Sequence, residues 1–133
     1  MPQYNEIAKG YNELYEQEQR RKLTIIKDKI VTDRSTSILD VGCGTGISSQ
    51  FGCNVVGIDP SIGLLNQNNN NNKLLGIAEQ LPLKDNLFDY VISVTSMHNF
   101  KNIKKSINEM KRVGKDKYIF SVLKRTKKFG FIK

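Results

Sequence analysis

The fold is decided by residues 37–46, which read Ser37-Ile38-Leu39-Asp40-Val41-Gly42-Cys43-Gly44-Thr45-Gly46. The first half is a short apolar run of the kind that forms a buried strand, and the second half carries alternating glycines. Because glycine has no Cβ, the backbone can turn sharply there and approach a ligand closely. We therefore expect a strand, then a tight ligand-binding loop, then a short helix.

Strand-like and helix-like segments alternate on both sides of this loop. An amphipathic helical region is expected from Gln3 to about Val31, with Gly10 as a candidate break within it. Further helices are expected at residues 61–67 and 102–113, and strands at residues 37–41, 53–58, 73–78, 88–94 and 117–123. This alternation predicts an α/β fold, with a Rossmann-like parallel sheet of about five strands in the order 3-2-1-4-5, flanked by helices.

Length and composition favour one soluble domain. A chain of 133 residues can bury a single core, so residues 1–133 are expected to form one domain, with its core at residues 37–123. Hydrophobic residues make up 38% and charged residues 26%, which disfavours a disordered or membrane-bound class. With no apolar run near the ~18 residues of a membrane span and no signal-peptide pattern at the start, we expect a cytoplasmic location.

Two residue types suggest no chemistry of their own. Cys43 and Cys53 lie outside any CxxC or Cys/His spacing, so we expect two reduced, buried thiols and no metal site. Asn68 to Asn72 is an unbroken asparagine run, low in complexity and poor in helix propensity. It is expected to be a mobile surface turn.

The charge of the chain is positive and uneven. The formal net charge is +8, and residues 101–133 hold twelve Lys and Arg against only Glu109 and Asp116. Such a segment is either a solvated basic face or a surface that attracts polyanions such as RNA. Both interpretations stay open.

An acidic residue, Asp59, ends the second predicted strand, nineteen residues after Asp40. In an open parallel sheet this position lies beside the first glycine loop, where a carboxylate can accept hydrogen bonds from both ribose hydroxyls of a nucleoside. The glycine loop and this carboxylate, at this separation, predict a nucleoside site built around residues 40–46 and Asp59.

The glycine spacing favours one nucleoside cofactor. Dinucleotide sites commonly carry GxGxxG with the pyrophosphate at a helix N-terminus, whereas this loop reads GxGxG directly after Asp40-Val41. A carboxylate there repels a diphosphate and suits the positively charged amino and sulfonium groups of S-adenosylmethionine. A nicotinamide-dependent oxidoreductase is the less favoured alternative.

Four segments then carry a family resemblance. Ile38 to Gly46 resembles the first motif of class I S-adenosylmethionine-dependent methyltransferases, and Val56-Gly57-Ile58-Asp59-Pro60-Ser61 resembles the second. Ala78 to Leu83 and Phe88 to Ser93 resemble the segments that follow in the ubiquinone/menaquinone-biosynthesis-like branch. The matches occur in order over about Tyr4 to Leu123, and they imply S-adenosyl-L-methionine as the cofactor.

The resemblance implies a role for residues around the loop. Gly42 and Gly44, with Cys43 between them, would let the loop pass the methionine portion of the cofactor. Asp40 would face its charged end, and Asp59 would hold the ribose.

It also implies the residues around the base and the sulfonium. Ala78 and Glu79 would edge the adenine, with Pro60 or Ile58 against its face, and the backbone of Val94 would lie near the sulfonium. Many relatives carry an acid directly before the Ala-Glu pair, where this chain has Ile77. Residues 1–31 would form an N-terminal helical lid in which Tyr11 is the candidate cofactor contact among Tyr4, Tyr11 and Tyr15, with ordinary helix packing as the alternative.

The chemistry needs few catalytic groups. Methyl transfer from a sulfonium is an in-line displacement that depends on proximity and orientation, so no dedicated base is required. The chain has no Asn-Pro-Pro-Tyr or Asp-Pro-Pro-Tyr motif after the fourth strand and no Pro-Cys pair. The single histidine, His98, follows that strand and is a candidate general base, although a structural histidine is the commoner case.

The segment after the fifth strand is where the family resemblance and this chain differ. Relatives usually continue past the fifth strand with a helix and an antiparallel strand pair, so the C-terminal strands are expected to be truncated. An uncovered edge strand would be open to self-association or to an activator subunit. We expect a methyltransferase with RNA or an RNA-associated protein slightly favoured over a small metabolite as acceptor, and a non-catalytic cofactor-binding or scaffold subunit as the alternative.

Overall fold

The structure, a computed structural model, is built around one six-stranded sheet. It describes residues 2–46, 50–94, 100–121 and 131–132. The helices are α1 (Pro2–Lys29), α2 (Ile62–Asn66) and α3 (Ile103–Val113), and the strands are β1 (Ser37–Val41), β2 (Asn54–Asp59), β3 (Lys73–Leu75), β4 (Phe88–Val94), β5 (Gly114–Ser121) and β6 (Phe131–Ile132). Their order in the sheet is β3-β2-β1-β4-β5-β6. The first five strands are parallel, so the predicted Rossmann-like order 3-2-1-4-5 is confirmed.

Alternate side chains of β1 form two apolar layers, one on each face of the sheet. Leu39 and Val41 belong to the layer that α3 covers through Met110 and Val113. Ile38 belongs to the other layer, which also holds Val55 of β2, Tyr90, Ile92 and Val94 of β4, and Ile26 of α1. Burial on both faces explains why the central strands are apolar almost throughout.

Helix α1 is anchored by its C-terminal part. Leu23 and Ile26 are buried at helical spacing, Ile30 follows them just beyond the helix, and Leu14 nearer the N-terminus is exposed. The Tyr90 hydroxyl donates to Val31 O at 3.1 Å and fixes the exit of the helix against the sheet. The helix is continuous from Pro2 to Lys29, so the candidate break at Gly10 does not occur.

The connection from β1 to β2 is short. It comprises residues 42–53, close to the dozen or so residues that a parallel crossover needs. A short helix is predicted after the glycines, but residues 50–53 are not helical, and residues 47–49 lie outside the described part of the chain. Instead Phe51 and Cys53 pack on the apolar layer beneath α1, and Lys27 Nζ lies 5.4 Å from the centre of the Phe51 ring.

The two edges of the sheet differ. The end of β5 is paired with antiparallel β6, with Phe120 opposite Ile132 and Ser121 opposite Phe131. The expectation that the fifth strand has no neighbour on its outer side is therefore wrong at these two residues, because the returning chain satisfies part of that strand's backbone. At the opposite edge, β3 has only three residues, and its Leu74 and Leu75 are exposed.

Among the described residues, no helix combines the length and the apolar character that crossing a bilayer demands.

Candidate cofactor site

The glycine loop turns tightly over the end of β2. Gly42, Gly44 and Gly46 have φ angles of 79°, 53° and 93°, values that L side chains rarely adopt. The amides of Gly42 and Cys43 both donate to Ile58 O, at 2.8 and 3.1 Å. The alternating glycines are thus required by the backbone, and the loop is fastened to the neighbouring strand.

Asp59 joins the end of β2 to this loop. Its Oδ2 accepts from the Gly44 amide at 3.0 Å, and its Oδ1 accepts from the Ser61 amide at 2.8 Å. A carboxylate has about four lone-pair positions, so two backbone donors leave capacity for further hydrogen bonds. The two features that the sequence placed together, the loop and the carboxylate, are in direct contact.

A cleft of about 300 Å³ opens beside this contact. Five of the residues predicted at the site line it, namely Gly42, Ile58, Pro60, Ala78 and Glu79. Its other lining residues are Val41, Gly76, Ile77, Phe100 and Lys101. A concave, mainly apolar cleft with a few polar groups is typical of sites for small planar ligands.

Phe100 and Lys101 were not found by sequence reasoning. They come from the segment between β4 and α3, which the hydrogen bond from the Asn102 amide to Glu79 joins to the Ile77–Glu79 turn. No motif marks them, and only the fold brings them to the cleft.

Glu79 has a structural partner. Its Oε2 accepts from the Asn102 amide at 3.0 Å. Burial alone would raise the pKa of Glu79, but hydrogen bonds from the backbone of Asn102, Glu79 and Lys101, together with the Lys101 charge, lower it overall. The side chain is therefore ionised at neutral pH and fastens one wall of the cleft to the start of α3.

Three predicted residues are buried and are not among the lining residues of the cleft. Asp40 is fully buried near the end of β1, and Val94 is buried at the end of β4 within the apolar layer under α1. Cys43 is also buried, and burial, reinforced by the charges of Asp40 and Asp59, raises the pKa of its thiol to about 12. The thiol is protonated at neutral pH, consistent with the predicted inert role.

The asparagine run lies partly on the surface, as predicted for a surface turn: Asn69, Asn71 and Asn72 are exposed, whereas Asn68 is buried. Asn68 is 2% exposed, and its Nδ2 donates to Gly44 O at 3.0 Å while its Oδ1 accepts from the Asn70 amide at 2.8 Å. Asn70 Nδ2 donates to Val55 O at 2.9 Å, and Lys73 Nζ donates to Asn68 O. The amide side chain is both donor and acceptor, which lets this run close over the glycine loop.

Arg112 of α3 braces the segment that follows the cleft turn. It donates to Leu81 O at 3.0 Å and to Leu83 O at 2.9 Å, and it pairs with Glu109 at 2.7 Å and Asp85 at 2.6 Å. Glu109 in turn accepts from the Leu81 amide at 2.9 Å. Sequence reasoning did not find this pair, because its contacts lie about thirty residues away along the chain.

Two predicted residues are not placed by the structure. Tyr11 lies in α1, but its side chain is outside the described part of the chain, and so is all of His98. Their roles stay predictions. Within the described residues, no group of three or more His, Cys, Asp or Glu is arranged to hold a metal ion.

A parallel 3-2-1-4-5 sheet, with a glycine loop after β1 touching an acid after β2, defines a Rossmann-like nucleoside-binding architecture. A family model described as a methyltransferase domain matches residues 39–121. The chain belongs to this family, the class I methyltransferases whose cofactor is S-adenosyl-L-methionine.

Two curated relatives illustrate the family. Malonyl-[acyl-carrier protein] O-methyltransferase of Buchnera aphidicola is 39% identical over 105 residues, which cover 73% of this chain and 42% of the relative. Demethylmenaquinone methyltransferase of Renibacterium salmoninarum is 34% identical over 104 residues, covering 72% and 44%. The chain thus spans less than half the length of these two relatives.

A solved structure shows the same fold. A Haloferax volcanii protein assigned as a methyltransferase, in complex with the Trm112 methyltransferase activator, superposes with a TM-score of 0.74 at 18% identity. The match covers 86% of this chain and 57% of the chain compared.

Proposed function

We propose that this chain binds S-adenosyl-L-methionine in the cleft beside Asp59 and transfers its methyl group to an acceptor. The contact between Gly44 and Asp59, next to a mainly apolar cleft of about 300 Å³, is the observation that carries the proposal. It provides a polar group for a ribose directly beside an apolar slot for a base. Family membership supports the same conclusion.

The cofactor's base would lie between Pro60 and Ala78, with its ribose on the free lone pairs of Asp59. The methionine portion would follow the backbone of Gly42 to Gly44 toward Asp40, and the backbone of Val94 would face the sulfonium. We place Tyr11 of the N-terminal lid over this cofactor. The anchoring of α1 at Leu23 and Ile26 supports a lid whose root is fixed to the core.

The reaction itself is an in-line displacement on the methyl carbon. The chain's contribution would be to hold the acceptor atom about 3 Å from that carbon, because orientation supplies much of the rate. His98, just past the end of β4, is our candidate for accepting a proton from the acceptor.

For the acceptor we favour RNA or an RNA-associated protein over a small metabolite. Lys104 and Lys105 are exposed in the first turn of α3, within four residues of the cleft residue Lys101 along the chain, and Lys111 is exposed further along the same helix. A cationic surface of this kind attracts polyanions. The names of the two curated relatives favour the opposite class, small or carrier-bound acceptors.

The experiment is a transfer assay with methyl-labelled cofactor and separate RNA, protein and metabolite extracts. Label in RNA, lost in Asp59→Ala and reduced at high salt, is the expected result. Label only in metabolites would correct the acceptor class. Cofactor binding without any transfer, even with partners added, would favour the alternative of a non-catalytic cofactor-binding or scaffold subunit.

A nicotinamide-dependent activity is the third candidate. It predicts that NADH competes with S-adenosylhomocysteine for the cleft. We expect no competition, because Asp40 would repel a diphosphate in the loop.

We further propose a cytoplasmic protein that works with a second subunit, either an activator or another copy of the chain. Support comes from the exposed Leu74 and Leu75 on the short edge strand β3, since unpaired edges invite strand addition. The structural neighbour from Haloferax volcanii was solved with an activator. Sedimentation of the purified wild type and, separately, of the Leu75→Lys variant tests self-association. If both are monomers, the second subunit would have to be an activator rather than another copy of the chain.

A further inference from the structure

Asn68 holds the glycine loop from a position that does not line the cleft. Its side chain is 2% exposed, and it is not among the lining residues. Its Nδ2 donates to Gly44 O at 3.0 Å, while the Gly44 amide donates to Asp59 Oδ2 at 3.0 Å. One side chain therefore holds the carbonyl of Gly44, and another holds its amide.

The Asn68 side chain also packs against the third glycine of the loop. A Cβ added to Gly46 would lie 2.7 Å from Asn68 Oδ1 and 2.9 Å from Asn68 Cγ, closer than side chains normally approach. The Gly46 amide donates to Cys43 O at 2.9 Å, which closes the turn that contains Gly44. Because a peptide unit is planar, holding the Gly44 carbonyl also sets the direction of the Thr45 amide within this turn.

The amide group of Asn68 is itself fixed in place. Its Oδ1 accepts the Asn70 amide at 2.8 Å, its backbone amide donates to Leu65 O at 3.0 Å, and its backbone carbonyl accepts from Lys73 Nζ. Asparagine suits this position because its side chain is an acceptor for the turn and a donor for the loop at once. Residues on both sides of Asn68 in the chain thus hold the donor that the loop receives.

We propose that Asn68 is a positioning residue for the cofactor: it fixes the Gly44 carbonyl, and with it the path of the methionine portion, before the cofactor binds. The proposal rests on the proposed function, which places that portion along the backbone of Gly42 to Gly44. A loop that already has its bound conformation costs little ordering free energy when the ligand arrives. Without the Asn68 amide, part of the binding free energy is spent on ordering the loop.

Calorimetry with two probes tests this, under conditions in which circular dichroism shows each variant to be folded. S-adenosylhomocysteine carries the amino-acid portion that would follow the loop, whereas methylthioadenosine has the same adenine, ribose and sulfur with a methyl group in its place. Asn68→Ala should weaken binding of S-adenosylhomocysteine by about threefold to tenfold, the range expected for one neutral hydrogen bond. Binding of methylthioadenosine should change by less than about twofold, because Asp59 keeps the Ser61 amide at 2.8 Å and with it the position of the ribose acceptor.

Two further variants separate the loop contact from the fold. Asn70→Ala also removes a donor to a carbonyl, Val55 O at 2.9 Å, and an acceptor of a backbone amide, that of Asn72 at 3.0 Å, but neither partner belongs to the loop. It should leave the ratio of the two affinities at its wild-type value. Asn68→Ser keeps a hydroxyl that can accept the Asn70 amide, but its side chain is one atom shorter than the one that reaches Gly44 O. It should shift the ratio as Asn68→Ala does, and it serves if the alanine variant does not fold.

The outcomes separate this inference from the function. If the Asn68 variants weaken binding of S-adenosylhomocysteine no more than Asn70→Ala does, Asn68 does not position the loop for the cofactor, and the proposed function stands. An equal loss of affinity for both probes in the Asn68 variants overturns the inference in the same way. A wild type that does not bind S-adenosylhomocysteine overturns the proposed function, and this inference with it.

Discussion

The Gly44 amide nitrogen lies 3.0 Å from Asp59 Oδ2, although the two residues are fifteen positions apart. Replacing Asp59 with Ala removes both this contact and the proposed ribose acceptor. We expect the affinity for S-adenosylhomocysteine to fall by about 1 to 3 kcal/mol, the usual cost of losing hydrogen bonds to a charged group. Titration calorimetry measures the change.

The control is Asp89→Ala. Asp89 also accepts a backbone amide, that of Ser37 at 2.9 Å, but it lies at the start of β4, at the opposite end of the strand from the site. Its loss should leave cofactor affinity unchanged. If the two substitutions lower the affinity for S-adenosylhomocysteine equally, Asp59 does not bind the ribose.

Asn68 should stabilise the protein more than its neighbours in the asparagine run do. Asn68→Ala leaves the Gly44 carbonyl and the Asn70 amide without their partners, so we expect the free energy of unfolding to fall by about 1 to 3 kcal/mol. Urea denaturation measures this. Asn69→Ala and Asn71→Ala alter exposed side chains and should each change it by less than about 0.5 kcal/mol; similar values for all three would refute the buried role of Asn68.

Arg112 should support the cleft from a distance. Arg112→Ala frees the Leu81 and Leu83 carbonyls and leaves Glu109 without its cation. We expect a loss of about 1 to 3 kcal/mol in unfolding free energy and weaker cofactor binding, because the Ile77–Leu81 segment is then held less firmly. Lys104→Ala removes an exposed cation from the same helix and should change neither quantity. A normal cofactor affinity in Arg112→Ala would show that the contacts of Arg112 do not support the cofactor site.

The same brace predicts a pH dependence. Hydrogen bonding to Arg112 is the main reason that the pKa of Glu109 lies below its ordinary value of 4.5. Its stabilisation is therefore present above that value and is lost as the pH falls through the lowered pKa. Urea denaturation from about pH 6 to about pH 3 should show the wild type losing its advantage over Glu109→Gln; a constant difference would contradict the assignment.

The two thiols should differ in reactivity. With its pKa raised to about 12, Cys43 has almost no thiolate at neutral pH and is buried as well. Cys53 is partly exposed and should react first with a thiol reagent at about pH 8, with Cys43 following only on unfolding. Cys53→Ser isolates the Cys43 signal, and rapid labelling of that variant in its native state would show that the loop opens.

The bounds of β1 and β4 could be predicted to the residue, because apolar runs bounded by polar residues and glycine set their limits. The other strands differ: β2 is shifted by one residue, β3 ends at Leu75, short of the expected Ala78, and β5 begins at Gly114, three residues before the expected start. The parts of the site that a local sequence pattern marks could be predicted, as with the glycine loop and Asp59. Asn68 and Arg112 were not, because their function depends on carbonyls of distant residues that no local pattern reveals.

Because the β1–β2 connection is short, we expect it to tolerate insertions better than deletions. A crossover near the minimum length has no spare residue, so deleting even one from residues 42–53 should displace either the strand register or the cofactor loop. Lengthening is different, since doubling a flexible loop adds only about 0.6 kcal/mol of closure entropy. Gln50, exposed on this connection, is therefore a natural point at which to graft a foreign segment beside the cofactor loop.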